Sequence, residues 1–408
     1  MKNTVPHSER PLEGVRVIEL ATLIAGPMIG MLLGDYGAEV VKVEHPGEGD
    51  GLRAWGNRKE GVSLYHKVLN RNKRSVTADL RTALGAEIVR RLVRNADVVI
   101  ENFRPGTLES WGLGYDELSK DNPGLVLVRV SGFGQTGPYR DRPGFGTLAE
   151  AMTGFAYTNG YPDRPPLLPS FALADTTTGI AGAFLTLASL RARDRSGRGQ
   201  VVDLAIYESL LTMLGPQVID YDQLGLIQER TGSRLPIVSP RNSFRTRDGK
   251  WVAISAGSPA IFERLCRALE VPHLIDDPRF ASNPSRREHV DAIEDLLQEA
   301  FLHFDQADIL ARLEKHQAAA GPVCSVADVV VDPHLRARGS IVAVADEELH
   351  CELRMQSVIG RLSLTPGHID HAGPPLGADN RAILAGELGF PEAELKAAGF
   401  PLQTEDRL

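Results

Sequence analysis

The chain of 408 residues is 42% hydrophobic and 24% charged, a composition typical of a globular protein with a large core. Its net charge of −8 argues against nucleic acid or a membrane surface as a partner, so an anionic ligand requires a local basic cluster. The three cysteines, Cys266, Cys324 and Cys351, lack metal-type spacing, which predicts no metal site and favours a reducing cytoplasm. No apolar window reaches transmembrane length without charges, so we expect no membrane span.

Short predicted strands alternate with helices in the first part of the chain. Strands are predicted over residues 15–20, 39–44, 97–101 and 125–131, and helices over residues 26–37 and 84–95. This alternation predicts an α/β fold, a parallel sheet with helices on both faces in a doubly wound, Rossmann-like large domain. Ligands of such sheets bind where the strands end, so the loops after these strands form the expected binding surface.

The pattern changes in the second half of the chain. Residues 242–254 predict a hairpin that turns at Asp248-Gly249, and helical stretches follow from near Pro259, Arg286 and Gln306. We therefore predict a smaller α+β domain between two parts of the large one. The predicted division is residues 1–225 for the first part of the large domain, 226–330 for the small domain, and 331–408 for a return segment.

Asp175 is a lone acid in an apolar segment that continues into a run of small residues. Because Asp followed by Thr suits the start of a helix, the simpler interpretation is that its carboxylate only caps that helix. The alternative is a nucleophile. Backbone donors and the helix dipole would keep such a carboxylate ionised, and an apolar pocket would strip its water and raise its reactivity.

The run Gly132-Phe133-Gly134-Gln135-Thr136-Gly137 matches the dinucleotide-binding pattern G-x-G-x-x-G and follows a predicted strand. That pattern should open a helix whose first turn holds the pyrophosphate. Pro138 and Pro143 make such a helix implausible here, and the strand is not the first of the fold. We interpret the run as a glycine-rich turn at the edge of the sheet.

Two basic or mixed motifs could bind a ligand. Arg71, Lys73 and Arg74 form a basic run with Arg81 downstream, which is either a solvated surface or a cradle for a phosphorylated ligand. Asn102, Phe103 and Arg104 follow a predicted strand, where an aromatic ring could serve as a stacking platform or belong to the core.

The histidines narrow the chemistry further. None lies between His66 and His273, so the sequence near Asp175 supplies no imidazole partner for a catalytic triad. His368 and His371 lie in a stretch rich in Pro and Gly without a third ligand, and we interpret this stretch as a surface loop.

With these motifs together, the chain resembles the class III CoA-transferases, the family that includes formyl-CoA:oxalate and carnitine CoA-transferases. The resemblance runs from about Pro11 to the C-terminus. Asp175 stands where that family keeps its nucleophilic aspartate, which favours the nucleophile over the helix cap. The resemblance is carried by the motifs at residues 25–27, 37–44, 72–75, 101–106, 132–138 and 197–200.

The resemblance implies CoA transfer from an acyl-CoA donor to a small carboxylic acid, through an aspartyl anhydride and an aspartyl-CoA thioester at Asp175. CoA is then a substrate, and no tightly bound cofactor is expected. Backbone donors near Gly134 would stabilise the oxyanions. The family's interlocked dimer, in which two ring-shaped chains thread each other, is implied as the assembly. The residues implied to contact CoA are Thr22, Leu23, Ala25, His45, Lys73, Arg74, Ala78, Arg81, Asn102, Phe103, Arg104, Gly134 and Gln135.

Within this assignment, the CoA phosphates are expected near Arg74 and Arg81, and the adenosine or pantetheine near Asn102 and Phe103. Two positions depart from the family pattern. Ser110 and His45 stand where many members have Arg, which weakens the expected nucleotide contacts there.

Other departures concern the acceptor and the reaction type. Residues 22–24 and 255–258 lack the motifs of the oxalate enzymes, so oxalate is not the expected acceptor. An α-methylacyl-CoA racemase would share the fold but needs two acid-base groups. Phe145 stands where that enzyme carries a histidine, and a phenyl ring moves no proton. A non-catalytic CoA-binding protein is the other alternative.

Overall fold

The computed structural model describes residues 10–402, which divide into two compact units. Unit 1 consists of the described residues up to 155, residues 169–215 and the described residues from 336 onward. Unit 2 consists of residues 156–168 and 216–335. The sequence prediction assigned residues 156–168 to the large domain, whereas backbone hydrogen bonds such as Gly232 N–H to Gly160 O (2.8 Å) tie them to unit 2.

Six of the thirteen described strands form one parallel sheet in unit 1, in the order β5-β2-β1-β6-β7-β8. The strands are β1 (Arg16–Glu19), β2 (Glu39–Glu44), β3 (Arg58–Lys59), β4 (Val62–Ser63), β5 (Lys73–Thr77), β6 (Val98–Glu101), β7 (Val126–Ser131), β8 (Val201–Ala205), β9 (Arg241–Arg245), β10 (Trp251–Ser255), β11 (Ala320–Pro322), β12 (Ile341–Asp346) and β13 (Cys351–Gln356).

Seventeen α-helices connect the strands of the described chain. They are α1 (Ala25–Asp35), α2 (Leu64–Leu69), α3 (Ala83–Arg94), α4 (Thr107–Ser110), α5 (Tyr115–Asp121), α6 (Gly146–Met152), α7 (Phe155–Thr158), α8 (Leu173–Ser196), α9 (Ile206–Met213), α10 (Gln217–Leu224), α11 (Pro259–Ala268), α12 (Asn283–Glu288), α13 (Val290–Phe301), α14 (Gln306–Lys315), α15 (Val326–Val329), α16 (Pro333–Ala337) and α17 (Glu392–Ala397). A π-helix spans Arg381–Glu387, and short 3₁₀ turns span Gly51–Ala54, Pro272–Leu274 and Pro278–Phe280.

The main sheet is buried on both faces, which is why its strands read as Val- and Ile-rich runs. Successive residues of a strand point to opposite faces, so Val17 joins one hydrophobic core and Ile18 the other. Helices α1, α6, α8 and α9 contribute to the first core, and α3 and α5 to the second. The doubly wound arrangement predicted from the sequence is therefore confirmed.

Strand β5 was missed in the sequence, where Lys73 and Arg74 look like part of a basic loop. It pairs in parallel with β2 at the edge of the sheet, with Lys73 beside Val40 and Thr77 beside Glu44. Its polar side chains are tolerated in a buried strand because each finds an ionic or hydrogen-bonding partner.

Helix α8 packs closely against α1 through two glycines. A methyl group at Gly179 would lie 2.3 Å from Met28 Cγ, and one at Gly182 would lie 2.4 Å from Ile29 Cδ1, so neither position accommodates a larger residue without movement. By length and composition alone α8 could cross a membrane. Half of its most apolar stretch is buried inside the fold, however, and core helices of globular proteins meet the same criterion.

Unit 2 is built on the three-stranded sheet β11-β10-β9. Strands β9 and β10 form the antiparallel hairpin predicted around Asp248-Gly249, with Arg245 beside Trp251. Its core includes Phe244 and Phe301, whose rings stack with centroids 5.1 Å apart, together with residues of α11 and α14. The helical stretches predicted in this region correspond to α11, α12 with α13, and α14.

Candidate active site

The carboxyl ends of the parallel strands meet at one edge of the main sheet. The chain leaves β1 for β2 and β5 in one direction and returns through β6, β7 and β8 in the other, so the strand order reverses between β1 and β6. Such a reversal opens a crevice where ligands bind. We call this edge of the sheet, together with the loops that leave it, the binding edge. The residues predicted from the sequence that lie on these loops are Thr22, Leu23, His45, Ala78, Arg81, Asn102, Phe103, Arg104, Gly134 and Gln135.

Side chains from three directions hold the loop that follows β1. The Lys42 ammonium donates to Ala21 O at 2.8 Å. Asn102 accepts from Thr22 N–H at 2.9 Å and donates to Thr22 O at 2.8 Å. Asp50 Oδ1 accepts from Leu23 N–H at 2.8 Å. The backbones of the consecutive residues Ala21, Thr22 and Leu23 are thus each held by a hydrogen bond to a side chain.

Leu23 adopts a left-handed backbone conformation, with a φ of 65°. This region is strained for a residue with a branched side chain and persists only where the surroundings enforce it. The hydrogen bond to Asp50 provides that enforcement. Ala25, two residues later, opens α1 with its side chain buried.

A buried ionic network lies below this loop. Lys42 Nζ contacts the carboxylates of Glu19 and Asp50, each at 2.8 Å, and all three residues are at most 1% exposed. Burial alone would lower the pKa of the Lys42 ammonium, but the charges of Glu19 and Asp50 outweigh burial and hold that pKa above its usual value. Lys42 therefore remains charged and keeps its contacts.

Lys73 also belongs to this interior and not to a phosphate cradle. Its ammonium contacts Glu19 at 2.9 Å and Pro27 O at 2.8 Å, and the residue is 1% exposed. Burial lowers its pKa to about 8 while the carboxylate of Glu19 opposes that shift. Because an enclosed ammonium has no path to a nucleotide, Lys73 does not make the expected contact with CoA.

Arg74 is displaced from the expected phosphate site as well. It lies near the amino end of β5, opposite to the edge where the loops converge. Its guanidinium pairs with Glu39 and Glu387, both at 2.7 Å. Arg71 likewise pairs with Asp35, at 2.6 Å. The basic run joins parts of unit 1 to one another and does not face the binding edge.

Two of the arginines predicted from the sequence to contact CoA do lie at the binding edge. Arg81 follows β5 and has a side chain that is 65% exposed, beside Asp79 at 2.8 Å and His45 Nε2 at 3.0 Å. Arg104 follows β6, is exposed, and has no ion-pair partner within the part of the chain that is described. The ring of Phe103, which precedes Arg104, packs edge-on against Trp111, with centroids 5.0 Å apart. Ala78 is fully buried, so the structure does not support its expected contact with CoA.

The glycine-rich run after β7 forms a turn, as predicted. Gly134 has a φ of 83°, and α6 begins only at Gly146, so no helix opens on the run. Gly134 N–H donates to Ser131 Oγ at 2.9 Å, and Gln135 N–H donates to the Asp203 carboxylate at 3.0 Å. Because both donors are already engaged, the expected oxyanion role for this turn is not supported by the geometry.

Asp175 occupies the first turn of α8, but it does not cap that helix. The residue that precedes the helix is Ala172, and no side chain caps the terminus. The carboxylate of Asp175 faces Gly146, where a methyl group would lie 2.4 Å from Oδ2. Within the described residues, no hydrogen bond or ion pair reaches this carboxylate. The cap interpretation is therefore wrong.

The surroundings make Asp175 an unusual carboxyl group. Burial raises its pKa to about 6, and the negative charge of Glu150 adds to the effect. Tyr65 lies close enough for the Asp175 charge to add to burial in raising the pKa of its phenol. Asp175 is thus mostly ionised at neutral pH, yet poorly solvated and unpaired, which are properties of a carboxylate nucleophile.

The close packing of α1 on α8 connects Asp175 to the loop after β1. A methyl group at Gly179, one turn beyond Asp175, would lie 3.3 Å from Ala25 O. The first residue of α1 therefore packs against α8 one turn of α8 beyond Asp175.

Three residues at this site were not found in the sequence: Asp50, Gly146 and Glu150. Asp50 sits in a loop rich in Gly and Pro, and Glu150 is a single acid in a short helix. Neither has a spacing that separates it from an ordinary surface acid. Only their burial, 1% exposed for Asp50 and 3% for Glu150, distinguishes them.

Comparison with known proteins gives consistent matches along the chain. The model of CoA-transferase family III matches residues 12–380. The chain is 47% identical to the succinyl-CoA–D-citramalate CoA-transferase of Chloroflexus aurantiacus, covering 95% of this chain and 96% of that protein. It is 37% identical to the succinate–glutarate CoA-transferase of Agrobacterium fabrum, covering 93% and 96%.

A second relative from Chloroflexus aurantiacus, the β subunit of succinyl-CoA–L-malate CoA-transferase, is 42% identical, covering 94% of this chain and 96% of that protein. The solved structure of a CaiB/BaiF family protein from Brucella suis is similar with a TM-score of 0.83 at 37% identity. The match covers 92% of this chain and 99% of that chain.

Replacing Asp50 with Ala should destabilise the protein strongly, because it leaves the buried Lys42 ammonium short of a partner and Leu23 N–H without an acceptor. We expect the free energy of unfolding to fall by about 3–5 kcal/mol. Asp50→Asn, which can still accept from Leu23, should lose less. Urea unfolding followed by circular dichroism measures both, with the surface variant Asp79→Ala as control, expected within about 1 kcal/mol of the wild type. Equal stability of Asp50→Ala and Asp79→Ala would contradict the prediction.

Proposed function

Since the chain belongs to CoA-transferase family III, we propose that it moves CoA from succinyl-CoA to a dicarboxylic acid through covalent intermediates at Asp175. The protein is a CoA-transferase. The observation that carries the nucleophile is the unpaired, half-buried Asp175 carboxylate in the first turn of α8.

In the first half-reaction, a carboxylate oxygen of Asp175 attacks the thioester carbonyl of the donor. The C–S bond breaks, and the products are a mixed anhydride and the CoA thiolate. The thiolate then attacks the aspartyl carbonyl, which releases succinate and leaves an aspartyl-CoA thioester. A poorly solvated carboxylate favours these steps, and covalent capture keeps the thioester's energy from being lost to water.

The second half-reaction repeats the same chemistry with the acceptor. Its carboxylate attacks the aspartyl-CoA carbonyl, giving a new anhydride and free thiolate. The thiolate attacks the acceptor's carbonyl, forms the new acyl-CoA, and returns Asp175 as a carboxylate. No proton is gained or lost across the cycle, which agrees with the lack of histidines in the sequence around Asp175.

For the CoA site, the proposal uses residues at the carboxyl ends of the strands. Arg81 and Arg104 are cations with exposed side chains, suited to phosphates in a protein of net charge −8. Thr22, Leu23 and Asn102 provide a preformed loop beside them. Such rigidity lowers the entropy cost of binding.

For the substrates, the names of the relatives support succinyl-CoA with a dicarboxylic acid such as citramalate, malate or glutarate. Oxalate is not among the proposed acceptors because residues 22–24 and 255–258 lack the motifs expected for it.

A racemase remains the alternative reaction. Phe145 precedes α6, is 61% exposed, and offers no acid-base group.

We also propose that the working assembly is a homodimer. On α8, Ile180, Phe184 and Leu187 recur at helical spacing and are 43%, 68% and 43% exposed. In unit 2, α10 has no buried residue, although Val218 and Leu224 are among its large apolar side chains. Apolar surfaces of this kind are typical of a chain that is covered by a partner, and a second copy is the partner that the resemblance to interlocked dimers supports.

Asp175→Asn should abolish CoA transfer while leaving CoA affinity within about a few fold, because only the covalent steps require the carboxylate. Transfer is measured by mass spectrometry of acyl-CoA esters, with succinyl-CoA and citramalate, malate or glutarate as substrates. Incubation of the wild type with succinyl-CoA followed by hydroxylamine should convert Asp175 to a hydroxamate. Glu294→Gln, which alters a buried carboxylate in unit 2, is the matched control. Transfer by Asp175→Asn would exclude the nucleophile.

Arg104→Ala should raise the KM for succinyl-CoA about tenfold or more with a smaller change in kcat, because one exposed phosphate contact of about 1.5–3 kcal/mol is lost. Arg74→Ala tests the corrected assignment, since its guanidinium is engaged within unit 1 and should leave this KM within about twofold. If Arg74→Ala raised the KM for succinyl-CoA more than Arg104→Ala did, the phosphate site would lie at the basic run that includes Arg74.

Light scattering at micromolar concentration should give twice the mass of one chain, and dilution should not reduce it, because threaded rings separate only on unfolding. Mixing two differently tagged preparations tests the threading, since no mixed species should form without denaturation. A mass of one chain, or rapid exchange of tags, would contradict the interlocked dimer.

A further inference from the structure

Two contacts between α6 and the start of α8 place Glu150 close to Asp175. Gly146 and Glu150 are four residues apart on α6 and so share one face of that helix. Gly146 faces the Asp175 carboxylate, and Glu150 Oε1 accepts from Ala174 N–H, the residue just before Asp175, at 3.2 Å. Glu150 is 3% exposed, so its carboxylate is directed inward against the first turn of α8.

The hydrogen bond from Ala174 N–H to Glu150 reduces the number of helix N–H donors that are free to bind the Asp175 carboxylate. The first N–H groups of a helix lack partners within it, and an acid in the first turn commonly accepts from one of them. Here the side chain of Glu150 takes the Ala174 N–H. Within the described residues, the Asp175 carboxylate accepts no hydrogen bond at all.

We propose that Glu150 is a positioning residue for the nucleophile, which fixes the first turn of α8, occupies a helix donor in place of Asp175, and keeps the Asp175 carboxylate unpaired. This inference rests on the proposed function of Asp175. It assigns to Glu150 a role that acts through Asp175 and does not require contact with either substrate.

Charge strengthens the effect of this arrangement. Burial and then the negative charge of Glu150 raise the pKa of Asp175, and a more basic carboxylate is a better nucleophile at a pH where it is ionised. The titratable groups on the helices around the first turns of α8 are Glu150 on α6, Tyr65, His66 and Lys67 on α2, Tyr207 and Glu208 on α9, and Asp35 at the far end of α1. Of these, Glu150 is the one whose charge acts on Asp175.

The test uses the pH dependence of kcat/KM for succinyl-CoA in the full-length enzyme. The rate should fall as the pH drops through the pKa of Asp175, because only the ionised form attacks. Glu150→Gln keeps an acceptor for Ala174 N–H but removes the charge, so the midpoint of this acid limb should move to lower pH by about 0.5 unit or more. Above both midpoints, kcat should fall about threefold or more, since the carboxylate is less basic.

Two further variants separate charge from packing. Glu150→Asp keeps the charge and should retain the wild-type midpoint, even if its shorter side chain lowers the rate. Glu294→Gln removes a buried carboxylate in unit 2 and should leave the midpoint unchanged. The KM for succinyl-CoA should stay within about twofold in Glu150→Gln, since no substrate contact is removed.

The outcomes distinguish this inference from the proposed function. A wild-type profile in Glu150→Gln, or equal shifts in Glu150→Gln and Glu150→Asp, would overturn the role of Glu150 while leaving Asp175 in place. Transfer by Asp175→Asn would overturn the proposed function itself. Inactivity of Asp175→Asn together with an acid limb shifted only in Glu150→Gln supports both.

Discussion

The ion pairs of Lys42 with Glu19 and Asp50 are the interaction on which the binding edge depends. Charges this deeply buried are costly unless they are paired and hydrogen-bonded, and here each carboxylate has an ammonium within 3 Å. The pairing also has a geometric consequence. Lys42 and Asp50 both reach the loop after β1, so the groups that neutralise the interior also set the backbone of Ala21 and Leu23.

A second constraint is space around Asp175, the proposed nucleophile. Gly146 leaves room for the Asp175 carboxylate, and Gly179 allows α1 to approach α8 one turn away. A carboxylate that is half-buried but unpaired is disfavoured in a folded protein unless the fold gains stability elsewhere. The extensive α1–α8 packing provides that stability, so the Asp175 carboxylate can be held without a counter-ion.

The location of a charge relative to the sheet decides its role in this protein. Lys73 and Arg74 lie at the amino end of β5, where they join buried or surface ion pairs, whereas Arg81 lies beyond the carboxyl end of the same strand with an exposed side chain. All belong to one basic stretch of sequence. A difference of a few residues along a strand thus separates structural cations from those available to an anionic ligand.

Periodicity, turn residues and motif combination determined the α/β class, the hairpin at Asp248-Gly249 and the family, because these depend on local pattern and on residues close in sequence. The same information singled out Asp175 as a candidate nucleophile but assigned Lys73 and Arg74 to the wrong surface, since a polar strand with satisfied charges looks like a loop. Asp50, Gly146 and Glu150 emerged only in the tertiary structure. Their roles depend on burial and on contacts between segments distant in sequence, such as Leu23 with Asp50 and Ala174 with Glu150, and no local pattern encodes those distances.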